Sequence, residues 1–179
     1  MGGIGTEKLR VPWRGPGPGL PDLPVPPERM PLRRDGQPDE LESEIVKEIG
    51  AWLKVNGEAI YATRPCKIYG EGPSTQAAEK GQFDGQKDVS DKPFTSEDIR
   101  FTRSKDGKTL YAIVLALPAD GRVTVKSLAS ASPYWPGKVG SVRLVDGGKV
   151  TFTRDADGLH VTLPEKFSGK TAFALKIGS

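Results

Sequence analysis

Residues 97–118 read EDIRFTRSKDGKTLYAIVLALP. Two runs of period-two alternation flank Lys105-Asp106-Gly107. An Asp-Gly step between such runs signals a hairpin, because the tight turn it adopts matches the twist of paired strands. Residues 111–117 are apolar at every position, which places the second strand centrally, covered on both faces. Five further runs follow: RVTVKSL (122–128), KVGSVRLV (138–145), KVTFTR (149–154), LHVTLP (159–164) and TAFALKI (171–177). Turn clusters such as Pro118-Ala119-Asp120-Gly121 and Asp146-Gly147-Gly148 separate them. Seven short strands at near-regular spacing predict an antiparallel β-sandwich, so the chain is mainly β with its sandwich at the C-terminus.

Upstream, DELESEIVKEIGAWLKV (39–55) predicts one helix. Pro38 and Asp39 suit its start, and acidic residues crowd the first turn where the helix dipole favours them. Asn56-Gly57 is expected to stop it in a left-handed conformation. Leu41, Ile45, Ile49, Trp52 and Leu53 recur at helical spacing as one apolar stripe. Burying side chains of this kind is worth on the order of 1.5–3 kcal/mol each, so the stripe demands cover. The expected outcomes are fraying, folding onto the sandwich, or self-association through those five residues.

The segments outside these elements read differently. Residues 1–30 carry seven of the 16 prolines and no apolar period, a composition expected to stay disordered. Residues 74–94 are polar and predict a long surface loop. The 179 residues hold 26 basic and 23 acidic side chains, interspersed, for a formal charge of +3. Neither nucleic acid nor an anionic membrane is called for by such a balance. No apolar run approaches the roughly 18 residues of a membrane helix, and the N-terminus lacks the apolar core of a secretory signal. The compartment stays open.

Chemistry-bearing residues are few. VNGEAIYATRPCKIYGEGP (55–73) concentrates Glu58, Glu71 and the sole cysteine, Cys66. A pair of carboxylates is the equipment of a glycosidase, but only if both flank one bond. Structural roles, capping turns or bonding backbone and arginine, are the expectation for both glutamates. His160 alternates with Leu159 and Val161 and should face solvent, and with one histidine there is no catalytic triad and no histidine-based metal site. Cys66 has no evident histidine to activate it as a nucleophile. Phosphate loops, HExxH and CxxC are absent from the sequence, so no cofactor and no metal are expected.

PLRRDGQPDE, IGAWLKVNGEAIYATRP, YGEGP and FTSEDIRFTRSKDGKTLYAIVLALP together resemble the C-terminal part of the α-L-fucosidases of glycoside hydrolase family 29, from about Pro31 onward. The resemblance implies a (β/α)8-like catalytic barrel followed by a β-sandwich, and cleavage of terminal α-L-fucose from glycans with retention. It makes the helix the last of the barrel and divides the chain into four parts. These are a segment at 1–30 unlike the family, a barrel remnant at 31–66, a linker at 67–93 and the sandwich at 94–179. Barrel active sites lie on the loops that lead from strand to helix. Arg33, Arg34 and Asp35, which precede the helix, are therefore the pocket-edge candidates, and residues 55–65 form a bridge on the opposite face. The family's catalytic carboxyls belong upstream of Pro31, so none is carried over, and fucosylated glycans are partners of intact relatives, bacterial members of which are often secreted or periplasmic. The expectation is a truncated or frame-disrupted gene product, inactive alone. The alternative is a free-standing carbohydrate-binding or interaction module using the aromatic pair Tyr134-Trp135.

Overall fold

A computed structural model describes residues 40–75, 93–167 and 169–179. The expectations for residues 1–30, for Arg33, Arg34 and Asp35, and for most of the 74–94 loop lie outside these residues. Two compact units divide between Ile45 and Val46. In the first, the described residues are the opening turns of helix α1 (Glu40–Asn56), which carries Glu40 and Glu42 in its first turn. The second unit holds the rest of α1 and all the strands.

Those strands are β1 (Thr63–Glu71), β2 (Ile99–Ser104), β3 (Thr109–Val114), β4 (Arg122–Val125), β5 (Ser141–Leu144), β6 (Thr151–Arg154), β7 (Leu159–Thr162) and β8 (Phe173–Gly178). A five-stranded sheet runs β1-β2-β3-β8-β5 and a three-stranded sheet runs β4-β7-β6, with every pairing antiparallel. All seven expected strands are present. The 104–109 hairpin closes as its sequence predicts: Gly107 takes φ 74°, and Asp106 accepts the Lys108 amide. β3 lies centrally and is buried at five of its six positions.

Alternation decides which side chains enter the space between the sheets. Ile99, Phe101, Ala112, Leu175 and Ile177 from the larger sheet meet Val123, Val125, Leu159 and Val161 from the smaller. The intervening residues of the larger sheet form a second, outer face, where Tyr111, Ile113 and Ala174 pack with Ala59 and Trp52. The larger sheet is thus apolar on both sides, and the end of α1 supplies its second cover.

β1 is the strand that the sequence reading lacks. It runs from Thr63 to Glu71 through a stretch expected to be bridge and linker. Its pairing with β2 jumps from Pro65↔Thr102 to Gly70↔Arg100, a pronounced bulge. Pro65 can sit there because β1 is an edge strand, where a missing N–H costs no ladder bond. Cys66 and Ile68, within the bulge, lean on the core. Gly72 makes the close approach possible: its φ is +106°, and a Cβ on it would lie 2.3 Å from the Glu97 carbonyl oxygen.

The helix terminus also differs from expectation. Asn56 has φ −103° and ψ 1°, not a left-handed conformation, and the chain continues into a 3-10 turn, Gly57–Ala59. The Asn56 side chain is needed elsewhere: its Nδ2 donates to the Trp52 carbonyl while its Oδ1 accepts from the sheet. At Gly57 a Cβ would sit 2.7 Å from the exposed Tyr61 ring, so a larger residue there displaces that side chain. The left-handed φ appears instead at Ala62.

Candidate functional site

The two glutamates singled out in the sequence fall at two places by the larger sheet. Glu58, in the 3-10 turn after α1, reaches the outer face. Its carboxylate accepts a 2.8 Å hydrogen bond from the Tyr111 hydroxyl and forms an ion pair with Lys176 of β8. The Lys176 contact, then the Tyr111 bond, holds the carboxyl below its ordinary range. Burial and the Glu58 charge together push the Tyr111 phenol up to about 12.

Glu71 sits at the far end of β1, opposite Ile99 in the register and on the side of the second sheet. Its Oε1 and Oε2 accept the amides of Lys126 and Ser127 at 2.8 and 2.6 Å, capping the 3-10 turn Lys126–Leu128 that follows β4. A helical turn's first amides have no internal acceptor, and a carboxylate satisfies two of them. Glu58 and Glu71 therefore bond on opposite sides of one sheet. They cannot flank one glycosidic bond, and both do structural work.

The remaining candidates are structural too. His160 is on the outer face of the three-stranded sheet, but it is not free: Nδ1 lies 3.1 Å from Thr124 Oγ1 and Nε2 lies 2.9 Å from Asp155 Oδ1. Cys66 is half-buried against the core. Trp135 is 9% exposed and belongs to the core, while Tyr134 stays largely exposed. No two-ring platform exists at SPYWPG, because the indole faces inward. Among the described residues no group of three His, Cys, Asp or Glu side chains could hold a metal ion.

Two polar residues that the sequence reading passed over organise loops. Arg154 donates to four carbonyls, those of Leu128, Ala129, Trp135 and Gly137, and so fixes the whole β4–β5 connection. Asp98, 2% exposed, accepts the amides of Ser74 and Thr95 and the Thr95 hydroxyl, each at 2.8–2.9 Å. The signal for Asp98 was present: Thr95 three residues ahead of an Asp makes a local side-chain–backbone turn. Arg154 left no signal, because its partners are backbone atoms 17 to 26 residues away.

Trp52 also departs from expectation. Its Nε1 donates to the Ala172 carbonyl at 2.8 Å, which turns the half-buried indole toward the sandwich and away from the apolar stripe. Ile49, Val46 and Val55 keep about half of their surface exposed. Between α1, Phe167 and residues 169–173 lies a groove of about 430 Å³, lined by Trp52, Val55, Leu144, Phe167 and Phe173, with Glu48, Asp146 and Lys170 beside them.

Fold and site together define a two-sheet β module in which Glu58 and Glu71 hold a strand face and a turn. Residues 91–178 match the α-L-fucosidase C-terminal domain family. The sandwich strands β2 to β8 therefore make up an α-L-fucosidase C-terminal domain. It is 26% identical over 149 residues to the tissue α-L-fucosidase of Rattus norvegicus, covering 80% of this chain and 26% of that protein. The α-fucosidase of Thermotoga maritima, solved with a mechanism-based inhibitor, superposes with a TM-score of 0.59 at 20% identity, over 84% of this chain and 29% of its own. A family 29 α-L-fucosidase of Bacteroides thetaiotaomicron, trapped as a covalent intermediate, gives 0.53 at 19% identity over 83% and 27%. These likenesses establish the fold. The chain spans between a quarter and a third of the length of each of these relatives.

The Asp98 network has a measurable pH signature. Burial raises the carboxyl, but the bonds from Ser74 and Thr95 outweigh it and bring it down to about 2 from an ordinary 3.8. A depressed carboxylate contributes stability that is fully present above the unfolded value and is lost as pH falls through the folded one. A shift of this size corresponds to about 2 kcal/mol. The stability gap between the wild type and Asp98→Asn, measured by urea unfolding, should therefore shrink by about that much between pH 5 and pH 2. A gap independent of pH would show that the carboxylate charge is not what holds the turn.

Proposed function

We propose that this chain serves an α-L-fucosidase as a supporting domain: it stabilises a catalytic barrel that removes terminal α-L-fucose from glycans with retention, and supplies no catalytic group itself. The observation that carries this reading is the placement of Glu58 and Glu71 on opposite sides of one sheet, each bonded to structural partners. Retaining hydrolysis needs two carboxyls about 5–5.5 Å apart around the bond. The fucosidase relatives support the substrate class. Arg33, Arg34 and Asp35 remain the pocket-edge candidates of this reading. The boundaries at residues 30, 66 and 93 belong to it as well, with α1 as the element nearest the barrel.

The exposed side of α1 extends the proposal. Val46 and Ile49 are neighbours on the helix and half exposed, with Ile45 one turn before Ile49, while Val55 lies on the side of the groove. An apolar strip of this kind favours association, and in the isolated chain the partner is a second copy. Leu53 and Trp52, named with the stripe in the sequence, are half-buried and contribute less.

Two measurements check these statements. The purified chain should release no chromophore from a chromogenic α-L-fucoside above a buffer blank. Turnover abolished by Glu58→Gln or Glu71→Gln would overturn the supporting role. In light scattering at rising concentration, the chain should form dimers or larger species that Ile49→Glu disperses. The correction over Trp52 matters here: Trp52→Glu is expected to destabilise the fold, because it removes the bond to Ala172. A chain monomeric at all concentrations, unaffected by Ile49→Glu, would refute the association.

A further inference from the structure

Asn56 is the sole asparagine of the chain, and a glycine follows it. Asparagine is thermolabile because its side-chain amide is open to attack by the next residue's backbone nitrogen. Glycine in the next position has no side chain to obstruct that attack. The Gly57 nitrogen bonds to Cγ of Asn56, and Nδ2 leaves as ammonia, taking up the proton that the nitrogen loses. Water then opens the five-membered imide at either carbonyl. One opening gives aspartate; the other gives isoaspartate, in which Cβ has entered the main chain. The net change converts an amide and a water into a carboxylate and an ammonium ion.

Three features hold this reaction back in the folded protein. Asn56 is 7% exposed, which keeps water from it. Both ends of its amide are engaged, Oδ1 by the Ala174 N–H and Nδ2 by the Trp52 carbonyl. At ψ 1° the Gly57 nitrogen eclipses the backbone nitrogen of Asn56, whereas ring closure needs it to eclipse Cβ. One motion releases all three: the parting of the end of α1 from β8.

Neither product restores the contacts. Aspartate keeps an acceptor for Ala174 but sets a carboxylate oxygen against the Trp52 carbonyl that Nδ2 served. It also places a negative charge at the C-terminal end of α1, which the helix dipole disfavours. Isoaspartate lengthens the chain just ahead of Glu58 and Ala59, the residues that engage Tyr111, Lys176 and Thr102.

We propose that Asn56-Gly57 is a latent modification site, opened to deamidation by local separation of α1 from the larger sheet, and that deamidation makes the separation permanent. The helix terminus is then released irreversibly while the sandwich stays folded. The site does not rest on the supporting role in a fucosidase, and the two fail separately.

Ageing the full chain at mildly alkaline pH, followed by peptide mapping with mass spectrometry, tests the site, with the free peptide of residues 54–60 as reference. Conversion at Asn56 should be at least about tenfold slower in the folded chain than in the peptide, reflecting the closed state. Thr102→Val, which removes the bond to the Ala59 carbonyl, should speed conversion roughly two- to tenfold, the loss of one hydrogen bond. Val161→Ala leaves a cavity in the centre of the smaller sheet and lowers global stability. It should leave the rate as in the wild type, because the opening is local. In the converted chain the Ala174 amide should exchange faster than before, while the amides of β7 keep their protection. Conversion at the peptide's rate, a rate unchanged in Thr102→Val, a Val161→Ala effect as large as that of Thr102→Val, or undiminished protection of Ala174 after conversion would overturn the proposal.

Discussion

The Ala174 amide, buried in β8, has no strand to receive it, and the Asn56 side chain at the end of α1 accepts it at 3.1 Å. An unmet buried N–H costs roughly 1–3 kcal/mol, so the sheet and the helix terminus need each other. The same seam is sewn at three further points. Trp52 donates to Ala172, Thr102 donates to the Ala59 carbonyl at 2.6 Å, and Glu58 engages Tyr111 and Lys176. All four act on the outer face of the five-stranded sheet. With them in place, Tyr111, Ile113 and Ala174 are covered, and the groove beside Trp52 acquires its shape.

This seam explains why the stretch at 55–73 looked chemical and is not. It leaves α1, secures the outer face with Glu58, turns through Ala62, forms the edge strand β1 and ends with Glu71 holding the turn after β4. One segment thus ties the helix to the larger sheet and the larger sheet to the smaller. Both carboxylates are engaged by partners within the chain, a hydroxyl and an ammonium at Glu58 and two backbone amides at Glu71.

What the sequence made legible follows from range. Strands β2 to β8 could be read because alternation and turn residues are local, and β3 announced its central place by being apolar at every position. The helix was legible from its 3.6-residue period. β1 was not, because Pro65, Gly70 and Gly72 read as breakers, whereas an edge strand with a bulge tolerates the proline and uses the glycines to pass close to residues 97–100. Asn56-Gly57 was read as a left-handed stop from local preference, and a tertiary bond to Ala174 overrode it. Periodicity put Trp52 and Leu53 in the stripe on α1 but cannot say which of the stripe's outcomes each residue meets, or that an indole N–H will find a carbonyl 120 residues away. The structural roles of Glu58 and Glu71 were anticipated in kind, but their partners, Tyr111, Lys176 and the amides at 126–127, lie 53 to 118 residues away and could not be read.

The claim that the helix terminus completes the sheet is tested most directly by hydrogen exchange at one amide, that of Ala174, in the wild type and in Asn56→Ala. In the wild type this amide should exchange among the slow core amides, since its acceptor is buried with it. In Asn56→Ala it should exchange at least about tenfold faster, reflecting the lost bond, while the amides of β7, in the centre of the other sheet, keep their protection and report an intact fold. Equal and slow exchange of Ala174 in both proteins would contradict the account, for it would mean that the sheet does not depend on Asn56.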